Sequence, residues 1–392
     1  MKRYFDDWLG AYLEYVENTE PPELYKVWVG VSTICACLQR KCKLPWGDPD
    51  LYPNMYIVLV GPSGCRKGTA MYPASDFLTR LGVKKASEAI TREALIRELA
   101  ESSTLDVSDE NMISHCSLTV FSEELTVFLG QNNWQLISDL NNWYDCRPSW
   151  IYRTKNQGTD EILGVWVNLL GATTPEFLQS ALPQDAIGGG LASRIVFVFG
   201  DKKSHICPAP FKTERDEKLK GMLAHDLEAI NTLKGNFTFT EGYFKMWEDW
   251  YTKHSTTPPF TDENFLGYNE RRPTHLRKLT MVMCASRGSD MCLCEEDFAR
   301  SVRLLEETEK YMPFVFGGRG RAKLSVILEK IIQMLALQKT VTGTQIMQRF
   351  YKDITVDEMQ QLIMSIEKAG FGIVRHVKGD VQITFVNPNK EN

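Results

Sequence analysis

The chain has 392 residues, 43% hydrophobic and 24% charged, with a formal net charge of −5. That length allows two or three domains with proper cores, and the composition is that of a globular protein rather than a disordered or fibrous one. The acidic balance excludes a wholly basic nucleic-acid coat but leaves room for a local basic channel. No window of eighteen apolar residues exists, so no membrane span is expected. Acids appear too early in MKRYFDDWLGAYLEYVEN for a secretory signal, so the chain is expected to work in the cytoplasm. The ten cysteines are scattered without zinc-knuckle spacing and read as buried thiols.

In chain order, residues 1–50 read as a helical region. Phe5, Trp8, Leu9, Tyr12, Leu13 and Val16 recur at helical spacing up to about Glu17. Pro21 and Pro22 break that helix, and a second runs from Glu23 to Gln39. The segment Lys41 to Trp46 suggests a short strand. An α/β core is expected over 51–200. Met55 to Val60 is a continuous apolar run, as in a strand buried on both faces. Leu118–Phe121, Val165–Leu170 and Ile195–Phe199 repeat the pattern, with a helix from Thr91 to Ser102 between. Strands alternating with helices point to a mostly parallel sheet. Residues 201–318 read as a helical lid region, with helices over Thr240–His254, Pro273–Arg287 and Glu295–Tyr311. Gly317, Gly318 and Gly320 suggest a hinge. Residues 319–392 then give an apolar stripe from Leu324 to Leu335, two capping-box patterns (Thr342-x-x-Gln345 and Thr355-x-x-Glu358), and strands flanking Lys378-Gly379-Asp380. Helix, helix, helix, hairpin is the order of a winged helix.

The first apolar strand runs into Gly61-Pro62-Ser63-Gly64-Cys65-Arg66-Lys67-Gly68-Thr69. Glycines let a backbone turn so that its N–H groups face phosphate oxygens, and a following helix adds its positive end. Lys67 then reaches the β- and γ-phosphates of ATP. The usual pattern is G-x-x-x-x-G-K-[ST]. Here Arg66 replaces the last glycine, and Gly68 occupies the place of the magnesium-binding hydroxyl, leaving Thr69 as the substitute. A glycine turn without nucleotide is the plainer reading. About fifty residues on, Glu123 and Glu124 follow an apolar strand. One carboxylate there suits Mg²⁺ and the next suits polarising a water. We assign Glu123 to the metal and Glu124 to the water; two acids opening a helix are the alternative.

These phrases, with Leu44-Pro45-Trp46-Gly47, Leu51-Tyr52-Pro53-Asn54, Gly171-Ala172-Thr173-Thr174-Pro175, Gly190-Leu191-Ala192-Ser193-Arg194 and Arg272 to Leu279, resemble a family of phage and mobile-element ATPases of the replicative or primase-associated helicase type. The resemblance runs from about Pro22 to Tyr311. It implies an AAA+/RecA-like P-loop core in a homo-oligomeric ring, most simply a hexamer. It also implies Thr173, or Thr174, as a sensor of the γ-phosphate and Arg194 as an arginine finger acting on a neighbouring subunit's nucleotide. Arg277 is implied as a nucleotide-sensing arginine on the lid. The family usually carries Asp-Glu where this chain has Glu123-Glu124.

A hairpin is expected around Trp150 to Gly158. In ring helicases a hairpin here enters the pore, where Tyr152 would stack on a base and Arg153 and Lys155 would meet phosphates of single-stranded DNA. A plain surface hairpin is the alternative. In the winged helix, ten Lys/Arg against seven Asp/Glu give +3 from Arg321 to Asn392. Arg375 and Lys378 on the wing are the candidate DNA contacts, and protein docking is the other use of such a module. The expected function is an ATP-dependent DNA translocase or replicative helicase. Its alternative is a non-unwinding ATPase switch, a helicase loader or origin-binding initiator. A small-molecule kinase is disfavoured by the winged helix and by Glu123-Glu124. Priming is not expected from this chain, which leaves room for a separate primase or replication partner.

Overall fold

The computed structural model describes residues 1–87, 90–107, 112–130, 133–154, 158–181, 190–316, 321–377 and 380–386. The expected hinge at 317–320 and the residues Lys155, Asn156, Gln157 and Lys378 lie outside the described residues. The chain divides into two units, Met1–Val315 and Phe316–Asn392.

The first unit is built on a mixed five-stranded sheet. Its strands are β1 (Tyr56–Val60), β2 (Ser103–Val107), β3 (Met112–Ser122), β6 (Val165–Thr173) and β7 (Ile195–Phe199), in the order β2-β3-β6-β1-β7. A two-stranded hairpin, β4 (Ser149–Thr154) with β5 (Gly158–Leu163), lies between β3 and β6 in sequence. β1, β3, β6 and β7 run parallel, while β2 is an antiparallel edge. All five residues of β1 are buried, as its unbroken apolar sequence requires in a strand covered on both faces. β3 is longer than the apolar run Leu118–Phe121 because its first residues pair with β2, so the sheet is mixed rather than parallel throughout. The expected strand over 41–46 is only Cys42–Lys43. It pairs with Gly235–Asn236, outside the central sheet.

α1 (Trp8–Tyr15) begins at Asp7, whose side chain caps Gly10 N–H. Trp8, Leu9, Tyr12 and Val16 are buried as the spacing implied. α2 (Glu23–Leu38) is apolar on nearly all sides and buried accordingly. Gly30 admits α1: a Cβ there would come within 2.5 Å of a Leu9 methyl. The Trp28 indole donates to Thr308 Oγ1 at 2.8 Å, tying α2 to the helical region. Next come α3 (Lys67–Arg80), α4 (Arg92–Glu101), α5 (Leu125–Leu129), α6 (Trp134–Tyr144), α7 (Pro175–Ala181) and α8 (Gly190–Arg194).

The helical region holds α9 (Glu214–Asn231), α10 (Glu241–Thr256), α11 (Leu266–Arg287) and α12 (Glu295–Glu309). α11 starts seven residues before the expected Pro273. Proline removes the hydrogen bond to the carbonyl four residues back, and here that carbonyl, Asn269 O, accepts from His254 Nε2 at 3.0 Å instead. The helix therefore passes through its proline without leaving a buried acceptor unpaired. Among the described residues, no helix is long and apolar enough to cross a membrane.

The second unit has α13 (Arg321–Gln338), β8 (Thr340–Thr342), α14 (Gly343–Phe350), α15 (Val356–Lys368), β9 (Gly372–Val377) and β10 (Asp380–Phe385). Both capping boxes form as the sequence suggested, and Gly370 takes the left-handed position after α15 with φ +76°. Ile331, Leu335, Val341, Ile346, Ile366 and Ile383 make its core. β8 adds a third strand, in the order β8-β10-β9.

Candidate active site

β1 and β6 pair in register from Tyr56–Leu169 to Val60–Thr173, so their carboxyl ends finish side by side. β3 ends one strand further on, with Ser122 opposite Gly171. Three loops therefore converge where the strand order reverses, the usual place for a ligand in an open α/β sheet.

The loop after β1 is anchored at both ends. Gly61 N–H donates to Thr173 O at 3.3 Å. The Tyr25 hydroxyl of α2 lies 2.7 Å from Val60 O and 3.0 Å from Gly200 O. A Cβ at Gly61 would sit 2.1 Å from Gly200 O, so only glycine permits this closeness. Gly64 takes φ +86° with open space around it, as a phosphate-cradling turn needs. Arg66 takes φ +60°, the left-handed conformation that the missing glycine would adopt freely. Its Nε pairs with Glu20 at 2.6 Å, and Glu20 also receives Lys203 at 2.9 Å. Those two cations hold the half-buried Glu20 carboxyl below its ordinary range, with Lys203 the larger influence.

Lys67 opens α3, and no side chain caps the first turn of that helix. Its ammonium donates to Gly61 O at 2.7 Å and Pro62 O at 3.0 Å. Burial lowers its pKa, opposed by the nearby Cys65, Glu124 and Glu176. Glu123 and Glu124 are exposed beyond β3. A Cβ at Gly68 would meet Glu123 Oε2 at 2.6 Å, so that carboxylate lies against the first turn of α3. Thr69 is exposed at the next position. Thr173 is buried at the end of β6, between the two loops. The structure thus brings Lys67, Gly68, Glu123, Glu124 and Thr173 to one end of the sheet.

Arg194 is elsewhere. It ends α8 just before Ile195, which pairs with Tyr56 at the amino end of β1. Its guanidinium pairs with Asp145 at 3.1 Å and donates to Gly190 O at 3.0 Å. Arg271 holds the other oxygen of Asp145 at 3.2 Å.

The assignment of Arg277 to the loop's nucleotide is corrected here. Lys278, its neighbour on α11, bonds to Asn54 O and Oδ1, which precede β1. Arg277 therefore stands at the opposite end of the sheet from the loop. Its guanidinium lies 5.4 Å from the Trp46 ring centroid and 4.8 Å from that of Trp247. Linear spacing placed it on a helix but did not say which end of the sheet that helix reaches.

Tyr152 is half-buried on β4, stacked against Trp150, with the Arg92 guanidinium 4.9 Å over its ring. Arg153 is exposed on the same strand and pairs with Thr159 across the hairpin. Arg375 is exposed on β9, opposite Gln382. Among the described residues, no group of three His, Cys, Asp or Glu could hold a metal.

Sequence reading missed the brace from Tyr25 and the Glu20 clasp on Arg66. It also missed a cavity of about 560 Å³ at the amino ends of β1 and β6, lined in part by Trp46, Tyr52, Arg271, Arg277 and Lys278. The run of bases from Arg271 to Lys278 was its visible trace. No protein-family model matches the chain, and no curated protein matches it.

Proposed function

We propose that this chain is a P-loop ATPase of the AAA+/RecA-like kind that works on DNA, as a translocase or replicative helicase of phage or mobile-element type. One observation carries the reading: the glycine-rich turn after β1, with Lys67 at the head of an uncapped helix, shares one end of the sheet with Glu123, Glu124 and Thr173. Backbone amides and Lys67 are the groups a triphosphate needs, and in the structure Lys67 rests on loop carbonyls that phosphate oxygens would replace. Glu124 polarises the attacking water, and Thr173 orients it. Glu123, with Thr69, is the residue set to hold Mg²⁺, which supplies charge neutralisation on the phosphates when bound.

Arg194 serves a neighbouring subunit's nucleotide, which requires its pairing with Asp145 to open in a ring. The β4–β5 hairpin offers Tyr152 and Arg153 to single-stranded DNA, and β9 offers Arg375. A non-unwinding switch is the second reading. It is favoured by Gly68 in place of a hydroxyl and by the left-handed Arg66, both of which weaken a hydrolytic site more than a binding site.

The test is ATP hydrolysis with and without single-stranded DNA, in the parent and in Lys67→Ala. DNA-stimulated turnover that falls about a hundredfold or more in the variant is expected. Absence of ATP affinity in the parent protein overturns the proposal. Strand separation then divides the two readings: a helicase separates strands, and a switch hydrolyses ATP without doing so.

A further inference from the structure

At the amino ends of β1 and β6, α11 delivers Arg271, Arg277 and Lys278 to one cavity. Arg271 shares Asp145 with Arg194. The other two have no carboxylate partner among the described residues. Lys278 is 3% exposed, and its ammonium rests on the neutral oxygens of Asn54 and 4.0 Å over the Tyr144 ring. Arg277 is held over Trp46 and Trp247, and its Nε donates to Pro273 O at 3.2 Å. Its terminal nitrogens make no hydrogen bond to a described residue.

Burying a cation without an anion is costly, and the cost persists only where something offsets it. Burial lowers the pKa of both groups, that of Lys278 to about 8. The acids around the cavity do little to cancel this charge. Asp50 is held by Lys43 at 2.6 Å, Asp145 is shared by two arginines, and Asp48 is exposed at the rim. The volume, about 560 Å³, is that of a small-molecule site. A guanidinium fixed by aromatic faces presents its nitrogens as a rigid fork, the geometry that matches a tetrahedral oxyanion.

We propose that this cavity binds a phosphoryl group, carried by a free phosphate compound or by the backbone of a nucleic acid. The site is separate from the phosphate loop and does not rest on the function proposed above. The test therefore uses the full chain carrying Lys67→Ala, so that binding at the loop is silenced. Pyrophosphate and a short oligothymidylate are titrated by tryptophan fluorescence, to which Trp46 and Trp247 report, and by calorimetry. Saturable binding of at least one probe is expected. Adding Arg277→Gln should weaken it at least tenfold, and so should Arg271→Gln, which changes a side chain still one-third exposed and keeps the fold. Tighter binding of pyrophosphate identifies a free phosphate compound as the ligand, and tighter binding of the oligonucleotide identifies the backbone. The proposal falls if neither probe binds, or if Arg271→Gln binds as tightly as its parent.

Discussion

At the carboxyl ends of β1 and β6, positive charge rests on one half-buried lysine and a row of backbone amides, with acids exposed nearby. At the amino ends, it rests on side chains of a single helix, packed among tryptophans and tyrosines. The first arrangement is loose. Lys67 uses carbonyls of its own loop, which can be exchanged at little cost. The second is built into the core: Lys278 joins α11 to Asn54, which in turn donates to Tyr144 O at 3.0 Å and Val167 O at 3.2 Å. A lysine can thus be held ready for a ligand, as Lys67 is, or committed to the fold, as Lys278 is, even beside an arginine whose terminal nitrogens stay open to a cavity. What separates the cases is whether its partners are loop backbone or buried structure.

The largest contrast should come from two alanine substitutions. Lys278→Ala leaves Asn54 O unpaired and Asn54 Oδ1 with only the weak Cys146 thiol donor, opens a void, and should cost about 2–4 kcal/mol in urea denaturation. Lys67→Ala should change stability by less than about 0.5 kcal/mol while removing turnover. Equal losses in the two variants would erase the distinction.

A pH series sharpens it. His275 is buried between the Tyr144 hydroxyl at Nδ1 and Ser193 O at Nε2. Burial lowers its pKa from 6.5 to about 3. The folded state therefore takes up the proton less readily than the unfolded chain. The stability this histidine contributes is complete above pH 6.5 and is lost as pH falls from there toward about 3. One such group gives a slope approaching roughly 1.4 kcal/mol per pH unit within that window. His275→Gln should flatten the measured slope by that amount, and an unchanged slope would place the proton elsewhere.

Smaller effects belong to the loop. Gly64→Ala forces a Cβ into the left-handed region, at a cost of about 1–2 kcal/mol, and should weaken ATP binding accordingly in a fluorescence titration. Arg66→Gly relieves left-handed strain but leaves Glu20 with Lys203 as its one remaining cation among the described residues, so the two effects oppose. Its melting temperature should move least of the series.

Legibility in the sequence followed burial. β1 and the loop could be read because a strand covered on both faces is an unbroken apolar run, and a glycine turn marks its end. The order of elements in the second unit could be read because Thr342 and Thr355 announce helix starts by local chemistry alone. β2 could not: it is an edge strand whose Leu105 and Val107 face outward, so it carries no apolar run. The first turns of α11 were hidden by Pro273, which a histidine distant in sequence makes tolerable. Of the candidate site, Lys67, Glu123 and Thr173 could be singled out because each lies at or soon after the end of a readable strand. Arg277 was misplaced because only the fold decides which end of the sheet a helix reaches.

Two departures from the common phosphate-loop pattern turn out to share a single volume. Residue 68 has lost its side chain, and residue 123 is a methylene longer than aspartate; the extra reach of one fills the room vacated by the other. Glu123 is exposed and its carboxylate is the far end of a flexible arm, so Gly68→Ser alone regains the hydroxyl by pushing the acid aside. Paired with Glu123→Asp, the same change regains the hydroxyl without displacing the acid. The size of residue 68 thus sets where the acid facing it can rest.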